Sequence, residues 1–428
     1  MKKKNLLFTM ILACTSLVVP LHCTEFATPE RREKWFTIFV HGIISVKPHL
    51  NVPNIIKLMR DDIANSVYAR AVEIMRKDDF FYKYHAMQEV GLLPVDINST
   101  KPGAAASVFA RTFDTVAKFA NPEMPKQEYY TFGWSGLLSQ FMWNLEAEIF
   151  YKKLDELVAT TRAQGYEPRI RMVGYSHGGT FALHLAHFDT GSFAIDEMWL
   201  IGVPVLPGAY DLINRPFFKK IDHFYSYGDR VQPLDCFGLN RFFSDRVFSP
   251  TSKKPLPAKL TQIQMKFRRP VFAHKTCPIH KNGCTKINRS RMRNADPGHT
   301  ELWSFGWSPA SYRSNFPLHP LPATVCLPFF AQTIANERLL GSHASIEVYS
   351  NHEFMVISSN KLKKTIQVPF LPDYLLSALK DDALACRPDN YHPQLYSEKV
   401  QQAIVHAQKD HDHEKKLMRT KHSAYPTN

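Results

Sequence analysis

The sequence predicts an α/β fold in which a mostly parallel sheet carries helices on both faces. Three observations predict it. Strand-like and helix-like segments alternate from Trp35 to Asp229, which is the pattern of crossover units feeding a parallel sheet. The strand segments are short runs of aromatic and β-branched residues, as strands buried on both faces read. The composition, with 44% apolar and 21% charged residues over 428 positions, is that of a globular chain long enough to bury a sizeable core.

Taken in order, "WFTIFVHGI" from Trp35 reads as a buried strand that stops at His41-Gly42. Residues 53–128 read as a helical insertion, because "NIIKLMRDDIANSVYARAVEIM" places apolar residues at helical spacing and "NSTKPGAAAS" marks a loop. A strand "EYYTFGW" follows, then a long amphipathic helix "SQFMWNLEAEIFYKKLDELVATTRAQ" with Gly165 placed to stop it. Strand "RIRMVGYS", helix "GGTFALHLAHF", strand "EMWLIGVPV" and strand "HFYSYG" complete the alternation.

Beyond Asp229 the regularity fades. Residues 253–293 hold twelve Lys or Arg and no acid, and within them "LTQIQMKFRRP" alternates Ile263, Met265 and Phe267 with Gln264, Lys266 and Arg268. A strand there buries one face and displays a basic one. A helical stretch resumes from Asp296, "LPATVCLPFFAQTIANERLL" reads as a packed helix, and "SIEVYSN" with "EFMVISS" reads as a strand pair. Residues 24–335 are thus expected to form the main domain and 336–428 a C-terminal extension, whose tail from Ser397 reads as a polar, solvated helix.

The first residues carry three lysines and then an apolar run of 16 residues from Leu6 to Leu21, shorter than the ~20 that span a bilayer. Residues 1–23 read as an export signal cleaved after Cys23, with a lipoprotein anchor at Cys14 as the alternative. Cleavage lowers the formal net charge from +14 to +11, because the removed stretch has three lysines and no acid. The expected location is periplasmic or secreted, with membrane association open. Five cysteines would remain, at 236, 277, 284, 326 and 386, so at least one is unpaired or intermolecular. The positive balance favours an anionic partner, and the basic block points to peripheral contact with an anionic membrane. Nucleic acid is not expected, since no recognisable reading module is present.

Chemistry concentrates at Gly174-Tyr175-Ser176-His177-Gly178-Gly179, a Gly-x-Ser-x-Gly element between an apolar strand and an Ala/Leu helix. A sharp strand-to-helix turn of this kind exposes a serine hydroxyl at the carboxyl edge of the sheet, beside free helix N–H groups. With these residues the chain resembles the α/β-hydrolase superfamily and its lipase and esterase branch, over about residues 35–335.

The resemblance implies an α/β-hydrolase fold and the chain order nucleophile, acid, histidine. Asp229, which follows an aromatic strand and a glycine, is then the acid, with Asp235 in reserve. His299, after the Pro-Gly of "NADPGHTELW", is the base; His223, His274, His280 and His352 are less well placed. The oxyanion donors are the backbone N–H groups of His177 and, from the His-Gly element, Ile43. The interval of 135 residues from His41 to Ser176 exceeds that of a compact hydrolase, so the insertion is a candidate lid or extra scaffold. The implied activity is hydrolysis of a carboxylic ester, a lipid or other acyl ester, with no cofactor.

His274, Cys277, His280 and Cys284 have spacings compatible with zinc, but the lysines around them oppose a cation and a Cys277–Cys284 disulfide explains the same cysteines. The "HDH" of the tail, His411 to His413, reads as a solvated helix end, so no metal site is expected. Nucleotide-binding glycine motifs are absent from the sequence. From a different class, a non-catalytic scaffold that binds an anionic surface through residues 253–293 remains the competing expectation.

Overall fold

The computed structural model describes residues 32–44, 63, 66–101, 104–234, 244–250, 255–270, 292–307, 311–349, 354–359, 362–389, 392 and 394–423. Its framework is one mixed, mostly parallel sheet of eleven strands with interleaved helices. The strands are β1 (Arg32–Val40), β2 (Gly91–Pro94), β3 (Gln127–Gly133), β4 (Tyr166–Tyr175), β5 (Ile195–Ile201), β6 (Phe218–Tyr225), β7 (Leu260–Pro270), β8 (Met292–Asn294), β9 (His343–Tyr349), β10 (Phe354–Ser359) and β11 (Lys364–Pro369). They lie in the order β11-β10-β9-β7-β6-β5-β4-β1-β3-β2, with β8 paired to β7. Strand β1 runs parallel to β3, and β4, β5, β6, β7 and β9 run parallel in succession. Among the described strands, β2 pairs antiparallel with β3, β8 with β7, and β10 with β9 and β11.

After β1 the chain moves outward to β3 and then returns across β1 to lay down β4. The order therefore reverses between β1 and β4, and open α/β sheets bind ligands at the carboxyl ends of strands flanking such a point. Strands β4, β5 and β6 end in register, with Tyr175 opposite Ile201 and Ile201 opposite Phe224.

Strand pleating divides the core into two layers. On one face Phe39, Val173, Tyr175, Trp199, Ile201 and Ile263 join the apolar sides of α1 (Val67–Lys77), α3 (Ala105–Ala120), α8 (Leu327–Asn336), α9 (Asp373–Ala385) and α10 (Leu395–Ser423). On the other, Ile38, Val40, Met172 and Leu200 meet α4 (Gln140–Ala163), α5 (His177–Leu183) and α6 (Ala209–Ile213). Helix α4 begins where the Ser139 side chain accepts from the Met142 N–H, satisfying a first-turn donor. It stops before Gly165, whose φ of +84° is a left-handed conformation that glycine adopts without strain.

Several elements differ from expectation. The insertion is not wholly helical: beside α1, α2 (Phe80–Tyr84) and α3 it contributes β2, which pairs antiparallel with β3 at the sheet edge. The C-terminal residues do not form a separate extension, because β9 pairs parallel with β7 and β9, β10 and β11 continue the main sheet. Helix α10 is not solvated throughout. It buries Val400, Ala403 and Ala407, and Lys399 pairs with Asp78 at 3.3 Å while Arg70 pairs with Glu414.

Strand β7 has the alternation read from the sequence, with Ile263, Met265 and Phe267 buried. On its other face Lys266 and Arg268 are half-buried, and Arg268 meets Glu347 of β9 at 2.6 Å. Most of the remaining basic block, residues 271–291, lies outside the described residues, as do the export segment, Asp235, His274, Cys277, His280, Cys284 and Cys236. Cys326 and Cys386 are free, buried thiols, and burial pushes the Cys326 thiol up to about 12. Among the described residues no helix is long and apolar enough to cross a membrane.

Candidate active site

Ser176 directly follows β4 and precedes the first residue of α5, so it must turn the chain from strand to helix in one step. Its backbone pays with φ 52° and ψ −137°, a conformation rare for a residue bearing a side chain and characteristic of strained functional turns. The turn is fixed on both sides: the Ser176 N–H donates to the Ile201 carbonyl at 2.9 Å and the Gly179 N–H donates to the Ser176 carbonyl at 3.0 Å. Glycines permit this packing. A Cβ on Gly178 would fall 2.1 Å from the His41 carbonyl oxygen, and one on Gly174 would fall 2.6 Å from the Gly179 Cα.

Three residues from distant parts of the chain converge at this turn. His299 Nε2 lies 3.0 Å from Ser176 Oγ, and His299 Nδ1 lies 2.7 Å from Asp229 Oδ2. A carboxylate oxygen only accepts, so Nδ1 carries the proton and Nε2 of the neutral ring accepts from the serine hydroxyl. Ser176 and Asp229 are buried, at 4% and 0% exposure, which removes water that would compete for these bonds.

Asp229 sits past the end of β6, where its Oδ1 accepts from the N–H groups of Val231 at 2.9 Å and Gln232 at 3.0 Å. This local cap leaves Oδ2 for the imidazole. The Gln232 amide ties the same loop to the Val203 carbonyl at 2.6 Å, and the Arg246 guanidinium donates to the Asp229 carbonyl.

His299 opens α7 (His299–Trp303), on a loop that follows β8. Glu301 caps that helix, accepting from the Gly298 N–H at 2.7 Å. Its other oxygen accepts from Arg313, from the main-chain N–H at 2.9 Å and Nε at 2.7 Å.

The His41-Gly42-Ile43 segment passes beside the serine. A Cβ on Gly42 would lie 2.9 Å from the Ser176 Cβ, so only glycine lets the segment approach so closely. His41 is buried and stacked on Trp134, whose indole N–H donates to the His41 carbonyl at 2.7 Å. Burial and the neighbouring Arg76 cation hold the His41 imidazole well below its ordinary value. The neutral ring lies with Nδ1 2.7 Å from the Gly42 carbonyl oxygen, so Nδ1 carries the donated proton. The Ile44 N–H donates to the Gly136 carbonyl at 3.3 Å, so the segment is held on both sides of Ile43. The Ile43 side chain is half-buried against the α4 layer, and His177 is the first residue of α5.

Sequence reasoning did not find Gly202, Tyr175, Glu301, Arg313, Gln232 or Trp134. Glu301 had a local signal, since an acid three residues after a helix-capping position is a capping-box pattern. Gly202, with φ +56°, lies where a Cβ would be 3.0 Å from Asp229 Oδ2 and 2.8 Å from the Leu302 Cδ1. Its place just after a buried strand resembles that of Gly42, but nothing local announces the contact.

Among the described residues no group of His, Cys, Asp or Glu is arranged to hold a metal ion. Comparison of the chain with protein-family models, with curated proteins and with solved structures finds no match.

Proposed function

We propose that the protein is a serine hydrolase of the α/β-hydrolase type that cleaves a carboxylic ester, with a lipid or other acyl ester as substrate. The observation that carries this reading is the chain of contacts Ser176 Oγ to His299 Nε2 to His299 Nδ1 to Asp229 Oδ2, built on a serine with φ 52°. Support also comes from Ser176 following β4, which flanks the reversal of strand order, and from Asp229 following β6 at the same carboxyl edge.

In this mechanism Ser176 Oγ attacks the acyl carbonyl while its proton passes to His299 Nε2, and Asp229 stabilises the resulting imidazolium. The carbonyl oxygen becomes an oxyanion held by the His177 and Ile43 main-chain N–H groups. Collapse expels the alcohol, which takes the proton from Nε2. Water then attacks the acyl-enzyme with His299 again as base, releasing the acid and restoring the serine. None of these steps calls for a cofactor. The preference for an acyl or lipid ester rests on the lipase-like elbow and the aromatic-rich composition. An exported location follows from the N-terminal segment under the same reading.

Covalent labelling with a fluorophosphonate ester probe tests the proposal. Wild type should be labelled and Ser176→Ala should not. Labelling that persists in the variant removes Ser176 as nucleophile, and none in wild type favours a non-catalytic scaffold.

A further inference from the structure

Tyr175 stands next to the candidate nucleophile, and its side chain turns to the candidate base. Its hydroxyl donates to the His299 main-chain carbonyl at 2.8 Å. Its ring faces the imidazole at a centroid distance of 4.8 Å and 34° between planes, and stacks on Trp303 at 5.2 Å and 5°. One side chain of β4 thus touches both the ring and the main chain of His299 and a second residue of the same short helix.

From this contact set we infer that Tyr175, through its hydroxyl, is a positioning residue for the hydrolase reaction, fixing His299 at a set distance from Ser176. The inference rests on the serine-hydrolase reading. Its physical basis is that the base and the nucleophile otherwise belong to elements with no covalent reason to keep a fixed separation, since 123 residues separate Ser176 from His299. Asp229 orients the imidazole from a third loop and does not refer it to β4. The Tyr175 hydroxyl does so, because Tyr175 and Ser176 share a peptide bond. Any shift of the α7 loop that lengthens the 3.0 Å contact between Nε2 and Oγ must move against this hydrogen bond and the stacked ring.

The hydroxyl is suited to the task. It is buried, and burial together with the nearby Asp229 and Glu301 carboxylates holds its pKa well above the usual phenol value, so it stays a donor through neutral and mildly alkaline pH. The acceptor is a main-chain oxygen, which leaves both imidazole nitrogens for Asp229 and Ser176.

Two variants test the role on the full chain. Tyr175→Phe keeps the ring contacts and deletes only the hydroxyl. Because misplacing a reacting group by about 1 Å costs up to ~10²-fold, its kcat on an activated short-chain ester should fall roughly tenfold to a hundredfold with KM unchanged. The low-field NMR signal of the His299 Nδ1 proton should shift or broaden as the ring loosens. A Tyr175→Phe enzyme with wild-type kcat and an unchanged Nδ1 signal would overturn the inference. So would a wild-type kcat in Tyr175→Phe alongside a low one in Tyr175→Leu, which would assign the role to ring packing. If wild type itself neither reacts with the fluorophosphonate probe nor turns over esters, the serine-hydrolase reading is what has failed.

Discussion

Glu301 is almost wholly buried, yet it binds the partly exposed Arg313 at 2.7 Å while its second oxygen caps the helix that begins at His299. The pair therefore ties the loop of the candidate base to the segment near residue 313, and Arg313 reaches on to the Asp296 carbonyl at 2.6 Å. Glu301→Ala would leave the Gly298 N–H and the Arg313 guanidinium without this acceptor. Because Gly298 is only half-buried and Arg313 is exposed, water replaces part of what is lost, and the urea midpoint should fall slightly, by the ~1 kcal/mol of an ordinary hydrogen bond. Turnover should fall further than stability explains. Glu301→Gln, which can still accept from Gly298, should recover part of both.

Gly202→Ala is expected to damage turnover more than folding. The left-handed backbone costs a residue with a side chain about 1–2 kcal/mol, a loss that thermal unfolding would register as modest. The new methyl would also press on Asp229 Oδ2 and Leu302, next to the hydrogen bond that orients His299. A kcat within twofold of wild type would show that the Asp229–His299 pair tolerates the displacement.

For the three central residues, Ser176→Ala and His299→Ala should lose turnover to a similar degree, because members of such a unit do not contribute additively. Asp229→Asn should lose on the order of 10³ to 10⁴ by favouring the wrong imidazole tautomer. Asp235→Asn should lose far less. Steady-state kinetics on an activated short-chain ester decides the ranking, and a larger loss at Asp235 would move the acid by six residues.

His41 is expected to act on the oxyanion side. Its Nδ1–H holds the Gly42 carbonyl, and that carbonyl shares a rigid peptide plane with the Ile43 N–H, so the bond fixes the direction in which the N–H points. Loss of an oxyanion donor costs ~10²–10³ in kcat. His41→Phe, which keeps the stack on Trp134 and frees the peptide, should cost a part of that. His41→Asn, with an amide N–H near the place of Nδ1, should restore some activity. Since burial and Arg76 keep His41 neutral, neither variant should create or remove a limb of the pH–rate profile between pH 6 and about 8.

What the sequence makes legible here is local. The turn at Ser176 can be read because strand, glycines and small-residue helix are contiguous, whereas Asp229 and His299 are singled out only through the chain order that the resemblance implies. Contacts that depend on distant chain are not written in any window. The Tyr175 hydroxyl finds a carbonyl 124 residues away, and β9 joins β7 across more than seventy residues, so its place in the main sheet has no local sign. Strand β2 is only Gly-Leu-Leu-Pro, whose ends read as loop residues. Helix α10 reads as solvated because its buried seam is narrow, with Val400, Ala403 and Ala407 set among mostly polar neighbours such as Lys399, Gln401, Gln402, His406 and Gln408.

At the other end of the sheet, a row of charges predicts how the fold responds to acid. Arg171 of β4 lies between Trp35 and Trp199, 5.0 and 4.7 Å from their rings, and binds Glu197 of β5 at 2.6 Å. Lys220 of β6 reaches Glu197 at 3.3 Å and Asp222 at 2.9 Å. Burial alone would raise the Glu197 carboxyl, but Arg171 and Lys220 outweigh it and hold the group at about 2 against an ordinary 4.5. A carboxyl depressed in the folded state contributes stability that is present above its unfolded value and lost as the pH falls toward its folded one. For Glu197 that window runs from about pH 4.5 down to about 2. Asp222 works the other way: burial raises it above 3.8 despite Lys220, so its ionised form costs stability at neutral pH and its protonation on acidification offsets part of the loss. Glu197→Gln separates the two. At pH 7 it should be less stable than wild type by about 3 kcal/mol, the size of breaking a buried pair and of the cited shift. The difference should shrink steadily below pH 4.5, as wild type loses what the variant never had. Urea unfolding at pH 7, 5, 4 and 3 measures it, and a gap that stays constant across that range would mean that Glu197 is not held ionised by its neighbours.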